Sequence, residues 1–355
     1  MRSTTTLLPL VALLAKLSTA GYVLQDDYGN SDSFFDKFTF FTGSDPTHGF
    51  VQYVDQATAE NAGLIHASNG EVYIGVDHTN VASGSGRQSV RITSTNSYTH
   101  GLFIVDLAHM PGSICGAWPA FWMVGANWPN NGEIDIIEGV NQQTNNAMTL
   151  HTNEGCTIDN SGFTGTLVTS NCWINAPGQS TNAGCSIDST SSQSYGTGFN
   201  NAGGGVYATE WTSNGISIWF FPRGSIPADI SSGSPDPSTW GTPAASFGGS
   251  GCDIDSHFGA QQIVFDTTFC GDWAGNVWSS GSCASLAGTC QDYVANNPSA
   301  FAEAYWYVNS LKVYQDTAES TIIAHGPGNV TSTHSTTAPV PFARTHRIRR
   351  HGHGN

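Results

Sequence analysis

Apolar and polar positions along this chain fall into short runs with a period of two. Val90-Arg91-Ile92-Thr93, Leu102-Phe103-Ile104-Val105-Asp106-Leu107, Ala147-Met148-Thr149-Leu150-His151 and Gln262-Ile263-Val264-Phe265 alternate or are rich in β-branched and aromatic residues, so each predicts a strand. Residues 206–212 and 216–221 flank Asn214-Gly215 and predict a hairpin that turns on that pair. A last strand is expected over 304–308, continuing through 311–314, and it closes the patterned part of the chain. No run has the period of a long helix, and no fixed-length repeat is visible. With 41 Gly and 15 Pro spread along the chain, turns are frequent. The 18 Phe, 11 Tyr and 10 Trp must be buried on short strands, for which two packed antiparallel sheets are the simplest solution. The fold class is therefore all-β, a sandwich or jelly roll.

Charge sharpens this picture. Charged residues make up 11% of the 355 positions, and the formal net charge is -16, which argues against a nucleic-acid partner. Between residues 21 and 315 only Lys37, Arg87, Arg91, Arg223 and Lys312 oppose twenty-five acidic residues, so the expected partner is uncharged or cationic. Met1-Arg2, an apolar run from Leu7 to Leu14 and Ser18-Thr19-Ala20 match a signal peptide over residues 1–20, with the mature start at Gly21. Lys16 interrupts the run, so no membrane anchor is expected there. Eight cysteines behind an export signal predict disulfides, among which Cys283 and Cys290 could close a small loop. Residues 316–355 turn Ser/Thr-rich and then basic, which reads as a disordered tail carrying the sequon Asn329-Val330-Thr331. Because that end is basic, a glycolipid anchor is not expected. The expected product is a secreted monomer with one domain over 21–315.

Chemistry concentrates in Asn131-Gly132-Glu133-Ile134-Asp135-Ile136-Ile137-Glu138-Gly139. On a regular strand Glu133 and Asp135 share a face and Glu138 points to the other. A β-bulge at Ile136-Ile137 would insert one residue and return Glu138 to its partners, leaving three carboxylates in a row with isoleucine behind them. Such a row is destabilised by like-charge repulsion, which raises at least one pKa, so that an acid and a carboxylate coexist as glycoside hydrolysis requires. A solvated acidic face and a calcium site compete with this reading. A solvated strand, however, needs no bulge, and calcium loops carry more Gly and Asn between their ligands. No metal or cofactor is expected.

Trp118, Trp122 and Trp128 precede the acids, and Trp273 lies in Asp272-Trp273-Ala274-Gly275. Indole faces suit sugar rings, although any one of these residues could equally be core, and Phe121 is expected there. His151, at the end of its strand, reads on its own as a hydrogen-bonded structural histidine.

With these residues in place, Gly132 through Gly139 resembles the active-site signature of glycoside hydrolase family 16 in its bulged, laminarinase-like form. The resemblance extends through the Trp118-Pro119 segment, Thr149-Leu150-His151, the hairpin, and Gln261 to Asp266 with Cys270-Gly271-Asp272-Trp273. It implies a concanavalin-like jelly roll of two curved antiparallel sheets that takes a β-glucan in a cleft, and it is nearest to fungal endo-1,3(4)-β-glucanases. It implies Glu133 as nucleophile, Asp135 as assisting carboxylate and Glu138 as general acid/base. Trp128 and His151 would line the adjoining sugar subsite, and Trp118, Trp122 and Trp273 are further candidates for binding. Transfer to a second glucan, or a non-catalytic β-glucan-binding lectin, are the alternatives.

Overall fold

The computed structural model describes residues 21–317. The expected signal peptide and, from residue 318, the tail with Asn329 lie outside the described residues. Strands dominate, and among the described residues the longest α-helix, Cys290–Asn296, has only 7 residues. Two eight-stranded antiparallel sheets form the body. The first runs Ala245–Gly248, Gly215–Pro222, Gly205–Thr212, Gly101–His109, Trp306–Asp316, Glu71–Ile74, Ile65–Ser68, with Tyr22–Asp27 also paired to Trp306–Asp316. The second runs Thr166–Leu167, Cys185–Asp188, Ala147–His151, Glu133–Glu138, Ala117–Gly125, Gln261–Phe269, Arg91–Ser94, Phe38–Phe40. A short parallel pair, Val51–Tyr53 with Arg87–Ser89, stands apart.

The core lies between the sheets. Phe103, Val105, Tyr207, Trp211, Leu311 and Val313 of the first meet Phe121, Met123, Ile134, Met148, Leu150 and Phe265 of the second in one buried cluster. Alternation assigns every other residue of the second sheet to its outer face. That face carries the acids.

The expected strands are all present: Ala147–His151 with unchanged bounds, Arg91–Ser94 shifted by one residue, Gly101–His109 and Gln261–Phe269 longer than their sequence runs, and the two last runs joined as Trp306–Asp316. Two expectations are corrected. The hairpin turns on Ser213-Asn214, because Thr212 pairs directly with Gly215. Gly215 is a strand residue, where a Cβ would come within 2.9 Å of the Phe247 carbonyl on the next strand, so the glycine answers to close approach rather than to the turn. Thr212 shapes the turn by accepting a hydrogen bond from the Asn214 amide at 3.2 Å. Cys283 and Cys290 are not partners: the bridges are Cys115–Cys283, Cys156–Cys252, Cys172–Cys185 and Cys270–Cys290. Nearness in sequence gave way to the three-dimensional neighbours, since two of these bridges tie the 270–290 segment to the strand ends beside it.

Candidate active site

The strand Glu133–Glu138 is central in its sheet, flanked by Ala117–Gly125 and Ala147–His151. Along the first neighbour Glu133 pairs with Val124, Ile134 with Met123 and Asp135 with Trp122, then the register shifts and Ile137 pairs with Phe121 and Glu138 with Ala120. Ile136 is the extra residue. Val124, Trp122 and Ala120 alternate with the core residues Met123 and Phe121, so Glu133, Asp135 and Glu138 all stand on the outer face. The other neighbour agrees, with His151, Thr149 and Ala147 opposite the three acids and a shift between Asp135 and Glu138.

Two forces hold this bulge. Ile134, Ile136 and Ile137 are buried in the core at 1% exposure or less. Each contributes about 2 kcal/mol through burial, so a register slip that turned them outward would cost more than the acids' repulsion. The backbone groups freed by the extra residue are taken by Asn146. Its side chain donates to the Ile136 carbonyl at 2.7 Å and accepts from the Glu138 amide at 2.9 Å. Asn146 is fully buried and is itself held by the Ser194 hydroxyl.

Around the acids the partners are few. Asp135 is buried, while Glu133 and Glu138 are half-buried toward the open face. His151 Nε2 lies 3.2 Å from Asp135 Oδ2. Neither its Nδ1 nor Asp135 Oδ2 makes a hydrogen bond among the described residues, so the imidazole and the carboxyl meet by proximity. Trp128 and Asp135 both lie close enough to Glu133 to shift its proton, the indole favouring the anion and the Asp135 charge opposing it. Trp118 Nε1 donates to Glu138 Oε1 at 2.9 Å. Trp273, half-buried in the turn Gly271–Gly275, meets the Trp118 ring edge-on with centroids 5.7 Å apart. The bridges Cys270–Cys290 and Cys115–Cys283 anchor the Trp273 segment next to the start of the Trp118 strand.

Electrostatics follow from this crowding. Burial first, then the Asp135 charge, pushes Glu133 up to about 8, against His151, the Trp128 indole and Arg91. Burial, and then the Asp266 charge, raises Asp135 against the neighbouring Glu133. Glu138 is raised well above its ordinary range by burial and the Asp135 charge, with Glu133 adding to them; Trp118 and His151 oppose. Glu133, Asp135 and His151 bring possible ligand atoms within 4.8 Å of one another, which could hold a metal ion. The set's chemistry is that of a crowded acid pair beside one imidazole.

The family model described as XgeA-like, catalytic GH16 domain matches residues 38–314. An endo-1,3(4)-beta-glucanase of Arthroderma benhamiae is 53% identical over 314 residues, 88% of this chain and 68% of its own length. The chain belongs to glycoside hydrolase family 16. A probable endo-1,3(4)-beta-glucanase of Aspergillus niger is 49% identical over 87% of the chain, which spans only 42% of that relative. Among solved structures, a family 16 laminarinase from Phanerochaete chrysosporium with glucans in donor and acceptor sites is 47% identical with a TM-score of 0.79. An elongating family 16 β-1,3-glucosyltransferase is 50% identical with a TM-score of 0.77. Each covers 83% of this chain and 100% of the solved one, and the jelly-roll fold is shared.

All eight sequence-predicted residues of this family 16 chain come to one face. Asn146, Arg91, Asp266 and Tyr53 are site residues that no sequence pattern singles out. Asp266 is buried, at 6% exposure, in the central strand Gln261–Phe269 and is raised to about 6 by burial, with Arg91 pulling down and Asp45 pushing up. Its one sequence signal was a charge amid an apolar run.

Proposed function

We propose that this protein is a secreted, retaining endo-β-glucanase that cleaves 1,3- and mixed 1,3-1,4-linked β-glucans. The single observation that carries the reading is the register shift at Ile136, which lines up three carboxyls on an open face set with tryptophans. The names of relatives at about half identity supply the substrate class. Four disulfides and the N-terminal export pattern support work outside the cell. Among the described residues no helix is long and apolar enough to cross a membrane.

In this reading the Glu133 carboxylate attacks the anomeric carbon while the protonated Glu138 gives its proton to the departing glycosidic oxygen, which leaves with the bonding pair. A glycosyl ester on Glu133 results. Its formation removes a negative charge, so Glu138, now a carboxylate, takes a proton from the water that attacks the same carbon, and the configuration is retained. Asp135, on the same face as Glu133 and 3.2 Å from His151 Nε2, orients the nucleophile. Trp128 and His151 serve the subsite on the Glu133 side. Trp118 and Trp273 serve the leaving-group side, and Trp122 lies between them.

A second reading, transfer of the glycosyl unit to another glucan, is favoured by the glucosyltransferase among the solved relatives and by the paired indoles where an acceptor would enter. A lectin would have no use for Glu133 and Glu138 together. Digestion of linear 1,3-linked and mixed-linkage glucans, with product sizing and anomer detection by NMR, tests all three. Short products of β configuration are expected, longer products than the substrate would favour transfer, and unaltered glucan or first-formed α products would overturn the proposal.

A further inference from the structure

Trp122 sits on the outer face directly across from Asp135 and from Val264, one row along the sheet from Glu138, Ala120 and Asp266. Its indole Nε1 donates to Asp266 Oδ1 at 3.3 Å. The Tyr53 hydroxyl donates to Asp266 Oδ2 at 3.2 Å, and Arg91 Nη1 lies 3.9 Å from that same oxygen. The Arg91 guanidinium lies 4.9 Å from the Trp122 ring centroid and 5.0 Å from that of Phe41. Phe41 in turn meets Tyr53 edge-on at 5.9 Å. These contacts close a circle: Asp266, Trp122, Arg91, Phe41, Tyr53 and back to Asp266.

The circle constrains one side chain more than the others. An indole has two torsions; a carboxylate at its N–H fixes the edge, and a planar cation on one face fixes the tilt. The covered face is unavailable to a ligand, which leaves the opposite one for a glucosyl ring. A buried ion pair is weak evidence for stability, and an apolar pair would hold this part of the sheet as well or better. Asp266 and Arg91 also stand on the open face, beside the acids, rather than between the sheets.

We propose that Asp266 is a positioning residue which, through Arg91, sets the plane of Trp122 as the stacking platform for a glucosyl unit next to the reacting bond. This inference rests on the glucanase reading above. It predicts that Asp266 and Trp122 act as one unit toward substrate.

The test is a double-mutant cycle for binding of a linear 1,3-linked glucohexaose, measured by calorimetry on the full chain carrying Glu133→Gln so that no turnover occurs. Trp122→Phe should weaken binding about tenfold, Asp266→Asn about fivefold, and the pair no more than Trp122→Phe alone. Multiplying losses, or unchanged binding in a folded Asp266→Asn protein, would overturn the proposal. If Asp266→Asn fails to fold, Arg91→Lys serves in its place: it keeps the charge, loses the planar stack, and must show the same non-additivity with Trp122→Phe. Should the Glu133→Gln protein bind no glucohexaose at all, the functional reading itself fails, an outcome distinct from independent losses in a protein that binds.

Discussion

Glu133 and Glu138 share a strand and a face, yet their neighbourhoods differ in kind. Glu133 has the Trp128 indole, the His151 ring and the distant Arg91 to favour its anion, against one adjacent carboxyl. Glu138 faces the charges of both Asp135 and Glu133 with one direct donor, Trp118, and a contribution from His151. Both glutamates are raised, Glu138 further than Glu133, so Glu133 is the first of the pair to give up its proton and serve as the attacking carboxylate while Glu138 keeps its own for donation. The asymmetry lies in the donors each end collects, since both ends are similarly half-buried.

Removing each carboxyl is the strongest way to break this comparison. Glu133→Ala should lower glucan hydrolysis by more than about 10^4-fold, whereas Glu138→Ala should lower it by about 10^2- to 10^4-fold, the usual worth of a general acid. The second variant should recover with aryl glycosides whose leaving group needs no proton, and added azide should then give a β-glycosyl azide. The first should give the α-azide. NMR of the products decides, and the reverse pattern would exchange the two roles.

Next in size is loss of the support under both ends. Asn146→Ala leaves the Ile136 carbonyl and the Glu138 amide without partners in a buried place, at a cost of about 2–4 kcal/mol. Thermal unfolding should move down by several degrees, and kcat should fall by about 10- to 100-fold as Glu138 loses its fixed position. Full activity in a destabilised Asn146→Ala protein would show that the bulge stands without it.

What the sequence discloses here follows the range of the interactions. Glu133, Asp135, Glu138 and the bulge are readable because their geometry is local: alternation along one strand and a doubled isoleucine suffice. The strands are readable for the same reason. Asn146, Arg91, Tyr53 and Asp266 are not, since each acquires its role from a strand or loop distant in sequence, and no periodicity announces which residue will lie opposite which. The cysteines obey the same limit, as Cys115 finds Cys283 across 168 residues. Gly215 shows a different one, since glycine has two uses, turning and close approach, and Asn-Gly alone does not tell which applies.

A smaller effect tests whether both ends share one proton-rich environment. Glu133, Asp135, Glu138 and Asp266 are all raised, Glu133 to about 8 and Asp266 to about 6. The folded chain therefore binds more protons than the unfolded one, whose carboxyls titrate near 4, so stability falls as pH rises from about 4 to about 8. The unfolding temperature should be higher at pH 5 than at pH 8. Glu133→Gln should flatten that slope, and a slope of the opposite sign would contradict the burial argument.

The finest test moves each end separately. Trp118→Phe removes the donor that favours the Glu138 anion, so Glu138 should hold its proton to higher pH and the alkaline limb of the kcat/KM profile should shift upward. His151→Gln removes the imidazole that stands directly across from Glu133, with Glu138 farther along the strand, so the acid limb should also shift upward while the alkaline limb moves less. The loss at the Trp118→Phe optimum should stay within about fivefold, the equivalent of one neutral hydrogen bond. Because both shifts have the same sign but fall on different limbs, a profile in which either variant displaces the two limbs equally would mean that the carboxyls titrate as one group. The division between the two ends would then arise only when a glucan is bound, and the same two profiles taken for kcat would be where it shows.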